Sequence, residues 1–169
     1  MKKSLIGAAV GMLVLSACGG STHNDADVTF AQSMVPHHEQ ALDMAELVPS
    51  RSSNDKVRAL ADRVEKAQKP EIARMNEWLA EWGAGTKHEG HDMAGMTGHD
   101  DMAGLENSSG AEFDRRWLDL MIKHHEGAVA MARTELDQGQ DEDARKLARA
   151  VADGQQQEIT EMEDLLRTL

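Results

Sequence analysis

The chain contains itself twice, and a sequence that repeats over some fifty residues must build its fold from two like parts. Met34-Val35-Pro36-His37-His38-Glu39-Gln40-Ala41-Leu42-Asp43-Met44-Ala45 returns 87 positions later as Met121-Ile122-Lys123-His124-His125-Glu126-Gly127-Ala128-Val129-Ala130-Met131-Ala132. The match continues without a gap. Arg58, Leu60, Ala61, Val64, Gln68, Glu71, Ile72, Met75 and Leu79 meet Arg145, Leu147, Ala148, Val151, Gln155, Glu158, Ile159, Met162 and Leu166. Over residues 30–80 there are 16 identities in 51 positions, against roughly one in fifteen expected from a mixed composition. A long unit present twice implies a pseudo-twofold object rather than a solenoid.

Each copy reads as a helical hairpin. In the first helix Phe30, Met34, Ala41, Leu42, Ala45 and Val48 recur at helical spacing; it is expected to begin after Asp27 and stop at Pro49. The second runs from about Asn54 to Trp82, with Val57, Leu60, Ala61, Val64, Ile72, Met75 and Leu79 inward and Gly83 as its C-terminal stop. In the second copy Ser109 and Glu112 have the spacing of a capping box. The helix that follows fades at Gly139, and the last runs from Asp141 nearly to Leu169. Pro36 and Pro70 have no counterpart in the second copy, so bends are expected there. With no Tyr, two Phe and three Trp, the core must be made from Leu, Ala, Val, Ile and Met, which favours helices. One hairpin cannot bury its apolar stripe alone; two make a four-helix bundle, an all-α fold.

The amino terminus carries an export address. Lys2 and Lys3 precede an apolar run from Leu5 to Leu15, and Leu15-Ser16-Ala17-Cys18 closes the segment. The run is too short to span a bilayer, which takes roughly 20 apolar residues. Leu-Ser-Ala-Cys resembles the bacterial lipobox, which implies cleavage after residue 17 and a diacylated Cys18. Cys18 is the only cysteine, so no intramolecular disulfide can form. The expected organisation is a signal peptide over 1–17, a lipid-anchored linker over 18–26 and one domain over 27–169. The expected location is the outer face of the cell membrane, where more than one acyl chain gives stable anchoring. Without residues 1–17 the chain has 16 Lys+Arg against 30 Asp+Glu, a formal charge of −14. So acidic a chain is no partner for nucleic acid.

Residues 84–110 interrupt the pattern. They are rich in Gly and nearly free of aliphatic side chains, and His88, His91, Met93, Met96, His99 and Met102 alternate within 15 residues. Such a long connection is expected to be a flexible functional loop. Thioether sulfur with imidazole nitrogen selects Cu(I) or Ag(I) over hard ions, whereas a zinc or nickel tract uses His alone. The paired histidines point the same way. At about 100° per residue from Met34, His37 falls near −60° and His38 near +40°, straddling the buried seam, while Glu39 points away. Met44 lies on the His37 side, and Met121, His124, His125, Glu126 and Met131 repeat the geometry. A buried imidazole without a partner costs about 1–3 kcal/mol, so two adjacent pairs need partners, and a metal ion is an economical one.

Other chemistries are poorly served. A ferritin-type di-iron site needs Glu-x-x-His on its helices, and none is present there. His-Glu-x-x-His is absent, which argues against a metalloprotease. Two symmetric His/Met sets do not favour a single haem, and no Ser or Cys nucleophile motif is visible. The chain does not read as an enzyme.

The two His-His-Glu motifs, at 34–45 and 121–132, resemble the signature of the family called domain of unknown function 305. The resemblance covers about residues 27–168. It implies an exported, ferritin-like four-helix bundle, of a family in which some members bind copper in the periplasm and serve copper resistance. Residue by residue it implicates Met34, His37, His38, Met44, Met121, His124, His125 and Met131, with Lys123 departing from the proline of the first copy. The expected function is copper sequestration or buffering outside the membrane, with Cu(I) favoured and Cu(II) or Ag(I) also accepted. The alternative is a non-catalytic interaction or pH-responsive envelope module whose histidines are structural. Self-association and a copper-handling partner in the envelope stay open.

Overall fold

A computed structural model describes residues 22–85 and 95–169. The expected signal segment, Cys18, His88, His91 and Met93 lie outside the described residues. The chain forms α1 (Asp25–Arg51), α2 (Asp55–Glu81), α3 (His99–Glu106), α4 (Gly110–Gln138) and α5 (Glu142–Leu166), with no strand among the described residues. Helix α1 pairs with α2, α4 with α5, and α1 with α4, while α2 and α5 meet far less closely. The α1–α4 seam is antiparallel. Trp117 Nε1 near the start of α4 donates to the Met44 carbonyl late in α1 at 3.0 Å, and Asn24 Nδ2 at the start of α1 donates to the Gln138 carbonyl at 2.9 Å.

The helix ends follow from their caps, with some differences from expectation. Helix α1 starts earlier than expected because Asn24 is its cap. The Asn24 side chain accepts from the Ala26 and Asp27 amides at 2.8 and 3.2 Å, and Asp27 answers the Asn24 amide at 2.6 Å. It also passes Pro49 and ends at Arg51. Pro36 and Pro70 sit within uninterrupted helices; Pro36 lies between the buried Val35 and His37, whose packing offsets the lost backbone bond, and Pro70 is exposed. Gly83, at φ +67, ends α2 as expected, its neighbour Ala84 donating to the Leu79 carbonyl at 2.8 Å. The expected capping box at Ser109 does not form. The chain turns through Gly110 at φ +61, and the Ser109 hydroxyl makes no capping bond.

A buried carboxyl pair fastens the start of α1 to the α4–α5 turn. Asp27 is fully buried and accepts from the amides of Gln140 at 3.0 Å and Asp141 at 2.9 Å. Glu135 is 1% exposed and lies under the turn at Gly139, where a Cβ would stand 2.1 Å from its Oε1. Burial, then the hydrogen bond to Asp27 and its charge, push the Glu135 carboxyl up to about 8. Burial also pushes Asp27 up, but the hydrogen bond from Glu135 and the amides of Asn24, Asp141 and Gln140 outweigh it and hold Asp27 below the usual carboxylate range. Glu135 therefore keeps its proton to a higher pH than Asp27 does.

The apolar core comes in two parts. One gathers Met44, Leu60, Phe113, Trp117, Met121 and Met162; the other gathers Phe30, Met34, Met75, Trp78, Leu79 and Val151. Along α1 and α4 the paired histidines fall between them.

The connection expected to be a loop over 84–110 is partly built structure. Residues 99–106 form α3, whose Leu105 is fully buried and whose Met102 packs on the first apolar cluster. Leu105 and Met102 together seat a helix of little more than two turns. Before α3, Thr97 exchanges two hydrogen bonds with the Gln40 side chain, at 2.6 and 2.9 Å. Gly95, at φ +84, presses on α4 so closely that a Cβ would lie 2.7 Å from the Lys123 carbonyl and 2.8 Å from the Gly127 Cα. Gly127 is the counterpart of Gln40 in the repeat. One copy thus supplies the side chain that holds the segment and the other supplies the space. Gly95→Ala should cost about 1–2 kcal/mol in backbone conformation alone and push residues 95–98 off α4. Amide exchange at Thr97 should then quicken by roughly tenfold or more, with the four long helices unchanged; unaltered exchange would contradict this docking.

Candidate metal centre

His37 and His38 on α1 and His124 and His125 on α4 are all fully buried. The sequence expectation that both members of each pair face inward holds, and Glu39 and Glu126 are exposed as expected. Because α1 and α4 run antiparallel, the two pairs meet. The rings of His37 and His124 lie 3.7 Å apart, centroid to centroid, tilted by 36°. Burial, then the neighbouring imidazoles of His37, His125 and His38, hold His124 well below the ordinary imidazole range. It is neutral at pH 7, the form that binds metal.

The outer members have a different partner. His38 Nε2 lies 2.8 Å from Glu71 Oε2 on α2, and His125 Nε2 lies 2.8 Å from Glu158 Oε2 on α5. The same contact thus occurs in both halves. A carboxylate accepts, so Nε2 carries the proton. In the neutral ring the lone pair is then on Nδ1, and in both residues Nδ1 is buried with no hydrogen-bond partner. A metal-ligating histidine typically donates its other ring N–H to a carboxylate, which fixes the ring and raises its basicity. His38 and His125 have that second interaction already in place.

The thioethers flank this layer. Met34, Met44 and Met121 are fully buried, and Met131 is half-buried. Met34 and Met131 belong to one apolar cluster, Met44 and Met121 to the other. The Met44 sulfur also lies 3.7 Å from the Thr97 hydroxyl. Of the interrupting tract, Met96 is half-buried beside a cavity of ≈ 460 Å³ against α4, His99 is exposed at the start of α3, and Met102 packs on the core. Met102 therefore does have apolar surface to fill, unlike the expectation for a methionine in a polar loop. Among the described residues no three His, Cys, Asp or Glu side chains converge as a ready metal cage.

Sequence reasoning missed Gln68, Glu71, Gln155 and Glu158 as parts of the site. All four lie one or two turns apart on the inward edge of α2 and α5, and both glutamine amides are buried without hydrogen-bond partners. The signal was present, because these are polar residues identical in both copies and set among apolar ones. Asp27 and Glu135 were also missed: the repeat marks Asp27, whose counterpart is the likewise buried Asp114, but sets Glu135 opposite Val48.

The profile of the family described as domain of unknown function (DUF305) matches residues 27–166. No curated protein matches the chain. Among solved structures, a secreted protein from Streptomyces coelicolor described as DUF305 is 31% identical, with a TM-score of 0.81 over 85% of this chain and 93% of that one. A DUF305 fragment from Deinococcus radiodurans is 35% identical, with a TM-score of 0.81 over 86% and 98%. CopM in its Cu(I)-bound form is 26% identical, with a TM-score of 0.73 over 84% and 96%, and it is also known in Cu(II)-bound and Ag-bound forms.

Proposed function

Because this chain belongs to the DUF305 family, we propose that it is a non-catalytic, copper-sequestering lipoprotein at the outer face of the cell membrane. Cu(I) is its preferred cargo, with Cu(II) and Ag(I) also bound. The observation that carries this reading is the doubled pair His38–Glu71 and His125–Glu158, each leaving a buried Nδ1 without a partner. Evolution removes idle buried polar atoms, since each costs about 1–3 kcal/mol. The same arrangement kept twice is economical if those atoms have a ligand to meet. Imidazole nitrogen between layers of methionine sulfur is a soft donor set, suited to Cu(I) and Ag(I). CopM, a relative over nearly its whole length, binds the same ions.

We read the 87-residue repeat as a duplicated hairpin, and Cys18 as the anchor that keeps the domain at the membrane. His88, His91 and Met93 serve as an outer capture tract, delivering ions to the bundle. Titration of the purified chain with Cu(I) under reducing conditions tests the reading. Binding at sub-micromolar concentration is expected, and binding no tighter than micromolar would end it. Replacing His88, His91 and Met93 with serine should lower the copper stoichiometry and leave helicity by circular dichroism unchanged.

A further inference from the structure

Helices α2 and α5 stand slightly apart beside the histidine layer, leaving a cleft of ≈ 60 Å³ lined by Gln68, Glu71, Gln155 and Glu158 with Ala67, Ala150, Val151 and Gly154. The lining is unusual for a gap between two amphipathic helices. Its chemistry comes from two carboxylates and two amides, while the rest is small or apolar. Gln68 is 2% exposed and Gln155 is 5% exposed, and neither amide has a hydrogen-bond partner for its oxygen or its nitrogen. Glu71 and Glu158 are about one-fifth exposed, so each reaches from solvent to an imidazole behind it. Two ion pairs bridge the helices beyond this stretch, Arg63 with Glu161 on one side and Arg74 with Asp143 on the other. Arg63 and Arg74 are thereby engaged away from the cleft, whose own charged lining is Glu71 and Glu158.

We propose that this cleft is an outer cation subsite and the route by which a divalent ion reaches the four histidines. The proposal rests on the reading of the histidine layer as a metal centre. It adds that the bundle is open on one side to ions that accept oxygen donors. A space of this size holds a couple of waters, so an ion can keep part of its shell while amide and carboxylate oxygens replace the rest. Oxygen donors at the mouth and imidazole within suit borderline divalent ions such as Cu(II) and Zn(II). A soft monovalent ion gains little from the oxygens. The cleft is therefore a filter by charge and hardness, distinct from the thioethers that favour Cu(I).

Zn(II), which is diamagnetic, is the probe, added to the purified chain with the side-chain resonances of Gln68, Gln155, His38 and His125 followed by NMR. The glutamine amides and the two imidazoles are expected to shift together. Glu71→Gln with Glu158→Gln should weaken the response at the imidazoles at least tenfold. Gln68→Leu with Gln155→Leu, which leaves the His–Glu contacts intact, should slow it at least tenfold. Imidazole responses unchanged in both variants, or glutamine amides silent in the parent chain, would overturn the proposal. Ag(I) binding is measured in parallel on the same samples. A chain that binds Ag(I) while the cleft ignores Zn(II) loses this subsite and keeps the copper reading. A chain whose cleft takes Zn(II) but that binds neither Ag(I) nor Cu(I) does the reverse.

Discussion

The variant with His38→Leu and His125→Leu will melt above the parent chain when no metal is present, and copper will no longer stabilise it. Both imidazoles are fully buried, and each holds an Nδ1 without a hydrogen bond. Removing such an atom in favour of an apolar group of similar size recovers about 1–3 kcal/mol. The glutamates left behind are one-fifth exposed and can turn to water, so their loss is modest. For the pair a gain of about 2–4 kcal/mol is expected, which is roughly 5–12 °C for a domain of this size. The parent chain, by contrast, should gain about 2.7 kcal/mol at free copper a hundredfold above its dissociation constant. Calorimetry of both chains, with and without Cu(I), gives the answer. A variant that melts lower than the parent, or that gains as much from copper, would show the histidines to be structural.

Alkaline conditions should loosen the chain, and one residue should account for it. The Glu135 carboxyl is pushed up to about 8 from an ordinary 4.5, so between those values the folded chain holds a proton that the unfolded chain has released. Stability therefore falls as pH rises from about 5 and levels off above 8. Asp27 works in the opposite sense at the acid end. Its folded value is lowered, so its contribution is present above its unfolded value and lost as pH falls through the folded one. From pH 6 to 9 the Glu135 effect dominates and amounts to a few kcal/mol. Glu135→Gln cannot ionise yet can still donate an N–H to Asp27. The difference in melting temperature between parent and variant should therefore grow from near zero at pH 5 to about 5–10 °C at pH 9. Parallel profiles would mean that the two carboxyls do not share a proton.

Much of this was legible in the chain itself, for identifiable reasons. Helices and their inward faces follow from apolar spacing, and the repeat doubles every signal, so Met34, Met44, Met121 and all four paired histidines were placed inside correctly. The contact of His37 with His124 depends on how two helices 87 residues apart are aligned, and periodicity within one helix carries no information about alignment. Glu71 and Glu158 were visible as repeated polar residues, but their reach to His38 and His125 depends on the same tertiary register. Helix α3 was obscured by its composition, since Gly98, Gly104 and a run of acidic residues disguise one leucine that docks. Asp27 and Glu135 looked like ordinary surface carboxylates, because only the fold brings a helix start under the turn at Gly139.

The uneven pairing of the helices gives the molecule the mechanics of a bound book. Helices α1 and α4 are the spine, and α2 and α5 are the covers, which touch each other far less than each touches its own half of the spine. Thermal motion will be largest along the fore-edge, where few contacts must be broken. On the copper-sequestering reading proposed above, an ion would exchange by flexing two covers, with the spine left undisturbed.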